Sequence, residues 1–277
     1  MATDTDTKAR NFRALHERDG AFVIPNPWDV GTARILASMG FEALATTSAG
    51  FAFSLGLPDG GVTRDQALAH CSNIAAATDL PVSADLEKGF VDDPADVAET
   101  IRLAADTGLA GCSIEDATGR RDAPIYDFEM AVARVAAAVE AARGLSRDFV
   151  LTARAENHLH GRNDLDDTIR RLQAFEAAGA DVVYAPGLPD LDAIRAVCSS
   201  VSRPVNVVIG APNTPYGIAE LAEAGVKRIS VGATFSRLAL GAVMRAAAEI
   251  RDEGTFSFTN DAVDFHDLQR IFRAYSD

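Results

Sequence analysis

The sequence predicts an α/β chain of the (β/α)8, or TIM, barrel class. Three observations predict it: eight short apolar runs, a helical stretch after each, and glycine where helix gives way to strand. The apolar runs, rich in β-branched residues, cover 22–26, 43–48, 81–87, 111–116, 149–156, 181–187, 204–209 and 228–233. Their starts are 21 to 38 residues apart, the length of one strand–helix unit. Runs that are apolar throughout, with helices between them, imply a parallel sheet covered by helices. Eight such units imply closure into a barrel rather than an open sheet.

The helical stretches carry their own signals. Phe128, Val132, Val135 and Val139 recur at spacings of 4, 3 and 4, which places them on one helix face. Asp93 before Pro94, Asn163 and Asp164 ahead of Ile169, and Thr63 before a capping-type run read as helix starts. Met39-Gly40, Thr107-Gly108, Ala178-Gly179 and Ala224-Gly225 read as helix ends. No GxGxxG follows the first run, which speaks against a dinucleotide fold. No Pro/Gly/Ser linker divides the chain, so one domain is expected over 1–277. Residues 1–10 are expected to be disordered, and a last helix within 261–277, clearest over 261–275, lies outside the repeat.

Composition bounds the function. At 277 residues and 48% hydrophobic content, a large core is within reach. A formal net charge of -14 argues against nucleic acid and against anionic membranes. Cys71, Cys112 and Cys198 show no CxxC or CxxH spacing, so neither a disulfide framework nor a zinc ribbon is expected, and a reducing cytoplasm fits. The N-terminus is polar and lacks the apolar core of a signal peptide, and no run of about 18 apolar residues exists to span a membrane.

In a barrel the chemistry lies at the C-terminal ends of the strands. There the third run ends in Asp85-Leu86-Glu87, the fourth in Glu115-Asp116 and the fifth in Arg154-Ala155-Glu156. Unpaired carboxylates brought together raise one another's pKa, and a hard divalent cation relieves them. Magnesium takes one or two direct carboxylates and keeps waters. Asp85, Glu87 and Glu115 are the candidate ligands, Asp85 the foremost. Arg154 is the basic residue within the strand ends, suited to bidentate contact with a substrate carboxylate, or else to pairing with Glu156 or Glu115. Ser48, with the amides of Ala49 and Gly50, offers a second anion contact, against the plainer reading of a tight turn. His158 and His160 form an HxH pair, but no third histidine falls at a strand end, so they read as loop residues. Gly232 alone is weak evidence for a phosphate site.

Four segments together resemble the isocitrate lyase/phosphoenolpyruvate mutase superfamily over about residues 20–250. SADLEKGF is similar to its metal motif, GCSIEDA to its fourth-strand motif, TTSAGFAFSLGLPDG to its substrate-anion loop and LTARAEN to its arginine segment. The resemblance implies a dimer-of-dimers tetramer whose extra C-terminal helix is exchanged between subunits, and magnesium, which manganese can replace. It carries metal ligation onto Asp85, Glu87 and Glu115, and substrate binding onto Ser48, Ala49, Gly50, Arg154 and Asp85. Catalytic roles fall on Asp59, Arg154 and Glu115.

The departures from the family narrow the reaction. The Lys-Lys-Cys-Gly-His loop of the isocitrate lyases is missing, and the fourth strand runs into DATGRRDAPIYDFEMAV. Cys112 lies inside that strand and cannot replace the loop cysteine. The sixth strand ends Ala185-Pro186-Gly187, where lyases place a glutamate. The expectation is a magnesium-dependent carbon–carbon lyase or decarboxylase acting on a small 2-oxo or 2-hydroxy di- or tricarboxylic acid through an enolate, with 118–125 as a lid. The alternatives are P–C bond chemistry on phosphonopyruvate, with Arg120 and Arg121 on the phosphonate, and a non-catalytic 2-oxo acid-binding protein.

Overall fold

The computed structural model describes residues 3–210 and 214–275. The eight apolar runs are eight parallel strands: β1 (Phe22–Ile24), β2 (Leu44–Ala45), β3 (Val82–Asp85), β4 (Gly111–Glu115), β5 (Val150–Arg154), β6 (Val182–Tyr184), β7 (Val205–Val208) and β8 (Arg228–Ser230). Neighbours in sequence pair from β2 through β8, and β8 pairs with β1. Across the remaining gap Ala45 N donates to Pro25 O (3.1 Å) and Asn26 Nδ2 to Thr46 O (3.0 Å). The result is a nearly closed (β/α)8 barrel.

The N-terminus corrects the expectation of disorder over 1–10. Residues 5–10 form the first turns of α1 (Thr5–Glu17), capped by Asp4, whose side chain accepts from Thr7 N (2.9 Å). Residues 1 and 2 lie outside the described residues. Lys8 is buried, with Nζ donating to the carbonyls of Ala75 (2.9 Å) and Thr78 (2.6 Å). Ala9, Phe12 and Leu15 pack on Phe22, Val150 and Val182 at the strand starts, so α1 plugs the N-terminal end of the barrel. The stretch reads as polar because its apolar face begins only at Ala9.

Around the barrel run α2 (Val30–Ser38), α3 (Ser48–Ser54), α4 (Arg64–Ala77), α5 (Pro94–Ala105), α6 (Phe128–Arg143), α7 (Leu165–Ala177), α8 (Leu191–Ser200) and α9 (Ile218–Glu223). The start signals hold: Asp93, Asp164 and Thr63 are N-caps, Thr63 in a reciprocal capping box with Gln66. Gly179 follows α7 at φ 101°, a left-handed turn that a side chain would strain. The main core lies between strands and helices, with Ile74, Ile101, Ile114, Leu151 and Phe175 fully enclosed.

The C-terminal segment departs from simple repetition. The eighth barrel helix, α10 (Thr234–Glu253), hardly covers the barrel. Ser236 is its one buried residue, and Leu238, Val243 and Met244 are 63%, 64% and 71% exposed. The last helix, α11 (Phe265–Arg273), is shorter than the predicted 261–277, whose final two residues lie outside the described ones. It returns to α2, where Tyr275 stacks under Arg34 (5.3 Å). No helix among the described residues is long and apolar enough to cross a membrane.

Candidate active site

The strand ends enclose a cavity of about 180 Å3. At roughly 30 Å3 per water that is the space of about six waters, room for a short-chain acid. Thr47, Ser48, Ala49, Asp59, Asp85 and Arg154 form its mouth.

Arg154 is the hub. Alternation along β5 turns it inward with Thr152, and register sets it beside Glu115 on β4 and Tyr184 on β6. Its guanidinium reaches Asp85 Oδ1 (3.0 Å), Glu115 Oε2 (3.2 Å) and Glu156 Oε1 (2.8 Å), and its carbon lies 4.9 Å from the Tyr184 ring centre. Of the two readings of Arg154 from sequence, this is the partner for acids. Burial pushes the Glu115 carboxyl well above the usual range, opposed by Arg154 and reinforced by the charges of Glu156, Asp85 and Glu87. Arg154 in turn is held firmly protonated by Glu156, Glu115 and Asp85 against its own burial.

Asp85 is fixed from four sides. Besides Arg154, Ser48 donates to Oδ2 through its hydroxyl (2.9 Å) and its amide (3.2 Å), and Glu87 N donates to Oδ1 (3.3 Å). Its own amide donates to Thr46 Oγ1 (2.9 Å). Glu87 adopts φ 50° and Phe90 φ 67°, left-handed backbone that non-glycine residues hold only under constraint. The constraint is visible: Arg134, buried beneath this loop, donates to the carbonyls of Lys88, Val91 (2.9 Å) and Asp92. The Glu87 carboxyl is pushed up to about 7, by burial first and then by the charges of Asp85 and Asp59. Asp59 is raised for the same reasons, burial and Asp85.

These hard oxygen donors suit magnesium. Among the described residues no three His, Cys, Asp or Glu side chains converge closely enough for a protein-only metal cage. Magnesium needs none, since it keeps several waters and takes one or two carboxylates. Asp85, on the cavity wall, and Glu87, two residues on, carry such oxygens, and Asp85 is paired with Arg154 (3.0 Å). Glu115, predicted as a third ligand, is likewise paired with Arg154 (3.2 Å).

The 48–50 segment is the start of α3 rather than a bare turn. Thr47 caps it, and Gly50 N donates to Thr47 Oγ1 (3.2 Å). Gly50 is buried and off the cavity wall, which corrects the expectation that its amide is open to an anion. Glycine is required there by packing: a Cβ would lie 2.6 Å from Thr47 Cγ2. Ser48 and Ala49 do line the cavity. Asp116 turns away, ion-paired with Arg171 (2.9 Å). His158 and His160 lie in a short 3-10 turn (His158–His160) off the cavity. Gly232 N donates to Asn26 Oδ1 (2.9 Å), so the isolated glycine has a structural task.

The 118–125 loop folds back on itself through an Ala117–Ile125 bridge. Arg120 points to Asp92 (3.5 Å), and neither Arg120 nor Arg121 lines the cavity. Sequence reading missed Tyr184 and Arg228 and gave Asn26 and Asn206 no role. Glu156 was read as a pairing partner of Arg154, which it is (2.8 Å), and the others could be flagged only with the register known.

Comparison with known proteins agrees with this geometry. The model of the phosphoenolpyruvate phosphomutase family matches residues 12–251. The chain belongs to this family. It is therefore an enzyme of the isocitrate lyase/phosphoenolpyruvate mutase type, which sets aside the non-catalytic reading. A Burkholderia cenocepacia structure, provisionally assigned as a lyase or mutase, is 60% identical with TM-score 0.94, covering 97% of this chain and 96% of that one. An oxaloacetate decarboxylase from Paraburkholderia xenovorans is 31% identical over 260 residues, 91% of this chain and 84% of its own. A phosphonopyruvate hydrolase, solved with oxalate and Mg++, is 25% identical with TM-score 0.83, covering 96% of both chains. Family members thus include enzymes of both C–C and P–C chemistry.

Proposed function

We propose that this family member is a magnesium-dependent lyase that breaks a carbon–carbon bond beside the 2-oxo or 2-hydroxy group of a short di- or tricarboxylic acid. The observation that carries the reading is one small cavity with two faces. Asp85 on its wall, with Glu87 beside it just off the wall, offers oxygens to a cation, and Arg154, Ser48 and Ala49 offer donors to a carboxylate. Magnesium bound there supplies Lewis acidity to a substrate oxygen. Manganese substitutes in the same donor set.

The chain's own residues set the geometry. Arg154 holds the substrate carboxylate, and Glu156 keeps its guanidinium plane in place through bonds at Nε (2.9 Å) and Nη2 (2.8 Å). Glu115 contacts the guanidinium at Nη2 (3.2 Å). The Ser48 hydroxyl orients Asp85, and the Ala49 amide at the start of α3 faces the ligand space. Asp59, its carboxyl raised by burial and the charge of Asp85, lines the mouth and is the candidate donor of the proton that returns to the product carbon. The loop at 118–125 closes over the bound acid and excludes water. P–C chemistry is the second reading, which the likeness to a phosphonopyruvate hydrolase supports. The exposed apolar face of α10 fits exchange between copies, in a dimer of dimers acting in the cytoplasm.

The test is turnover of oxaloacetate, 2-methylisocitrate and phosphonopyruvate, each with magnesium and with EDTA. Pyruvate forms from all three, so the co-product names the bond. Release of CO2 or succinate, abolished by EDTA and lowered at least roughly 100-fold in kcat/KM by Asp85→Ala, is expected. Phosphate release, or full activity of Asp85→Ala, overturns the assignment.

A further inference from the structure

The inner wall of this barrel is polar where such interiors are normally filled by branched aliphatic side chains. Below the mouth the cavity is lined by Ser83, Ser113, Tyr184, Asn206, Arg228 and Ser230. Arg228 in this well and Thr152 beside it are unexplained by the chemistry at the mouth.

Arg228 is 5% exposed at the start of β8. Two other deeply buried arginines are ion-paired, Arg154 with three acids and Arg171 with Asp116 and Asp167, and Arg134 donates to three carbonyls. Arg228 has no such partner. Its Nε donates to Asn206 Oδ1 (2.7 Å), and its Nη1 approaches His16 Nε2 at 3.5 Å. His16 cannot balance it. The ring's Nδ1 lies 2.8 Å from Phe12 O, which makes Nδ1 the protonated nitrogen and leaves Nε2 a neutral acceptor. Burial and the Arg228 charge hold His16 neutral, its pKa lowered to about 3. Among the described residues no carboxylate forms an ion pair with Arg228. A buried charge left in that state is costly, and proteins resolve it with a counter-ion.

Thr152 is fully buried, on the inward face of β5 in register with Ser113. Its hydroxyl has no hydrogen-bond partner. Buried hydroxyls are nearly always satisfied, by protein, by water or by ligand.

We propose that Arg228 forms the floor of an anion subsite inside the barrel, which takes the second carboxylate of a dicarboxylic acid whose first carboxylate is held at the mouth. Asn206 fixes the guanidinium plane, and the neutral His16 lets α1 close the barrel without competing for the anion. Tyr184, whose hydroxyl burial keeps protonated, and Ser230, within reach of Asn206 at 3.2 Å, complete a donor-rich wall. The inference deepens the lyase reading by assigning the residue that holds the second carboxylate, and it rests on that reading for the identity of the anion. The same chemistry would accept a free inorganic anion.

The experiment separates these cases. Binding of 2-oxoglutarate, 2-oxobutyrate and bromide is measured calorimetrically and by thermal shift, with magnesium, on the full-length protein and on Arg228→Gln and Arg228→Lys. Wild type is expected to prefer the diacid over the mono-acid. Arg228→Gln is expected to lose roughly 10- to 100-fold in diacid affinity, the factor of a hydrogen bond to a charged group, with mono-acid binding within about threefold of wild type. Arg228→Lys should recover part of the preference. Bromide that stabilises wild type but not Arg228→Gln, with equal effects on both acids, supports the subsite and assigns it to a free ion. If neither acid binds wild type, the lyase reading falls, and the bromide arm still decides the subsite. Should Arg228→Gln not fold, a bromide anomalous peak beside Arg228 in wild-type crystals supports the site, and its absence overturns it. Unchanged diacid preference and bromide response in both variants overturns the proposal and leaves Arg228 a structural residue.

Discussion

Glu87 gives the sharpest test of the electrostatics at the mouth. Its carboxyl rises from the usual 4.5 to about 7 because it is buried beside Asp85 and Asp59. The folded protein therefore holds a proton on Glu87 that the unfolded chain has released. Stability is lowest above pH 7, increases as pH falls through the folded value, and levels off below 4.5. One group contributes up to about 1.4 kcal/mol per pH unit in that window. From pH 7 to 5.5 the full effect is roughly 2 kcal/mol, and halving it for solvent screening of a half-buried site leaves about 1 kcal/mol. For a domain of this size that is a shift of about 2–4 °C. The assay is scanning calorimetry in EDTA across pH 5.5 to 8, on wild type and Glu87→Gln. The wild-type profile minus that of the variant should show a Tm that rises on acidification. Magnesium requires the ionised carboxylate, so its affinity for wild type should fall by up to about tenfold per unit below pH 7. A flat difference profile would refute the reasoning, because it would mean that Glu87 titrates as an ordinary exposed acid.

Two further outcomes follow from packing around the site. Gly50→Ala drives a Cβ to 2.6 Å from Thr47 Cγ2 and 3.1 Å from Ser236 Oγ, and should cost about 1–3 kcal/mol in urea denaturation by forcing the start of α3 away from Asp85. Arg134→Met removes the donors that hold the Lys88, Val91 and Asp92 carbonyls. It should weaken magnesium binding, measured calorimetrically, more than a surface arginine change such as Arg195→Met.

The eight strands, most helix caps and the rim acids were legible in the sequence because each depends on local pattern: apolar runs, cap residues before helices, and the rule that strand ends carry function. Asp85, Glu87, Glu115 and Arg154 were found that way; Asp85 and Arg154 line one small cavity with Ser48 and Asp59, while Glu87 and Glu115 stand next to them off its wall. Gly50 was misread because one glycine looks alike whether a ligand or a neighbouring methyl approaches it. Only the tertiary structure decided that Thr47 crowds it.

The polar terminus was misread for a related reason. The Asp4 cap, the buried Lys8 and the apolar face from Ala9 gain meaning only against the open end of a barrel, which no local pattern reveals. The course of α10 away from the barrel likewise could not be read, since its periodicity is that of any covering helix. The inner wall is the clearest case. Ser113, Tyr184, Asn206 and Arg228 are far apart in the chain, and each alone is an ordinary strand residue. Strand register and barrel closure bring them into one well, where removal from water turns a common arginine into an uncompensated charge. Sequence determined the fold class, the family resemblance and the acids at the rim through short-range pattern. Burial and charge pairing are properties of the closed barrel, and they alone decided which side chains are held, strained or left in want of a partner.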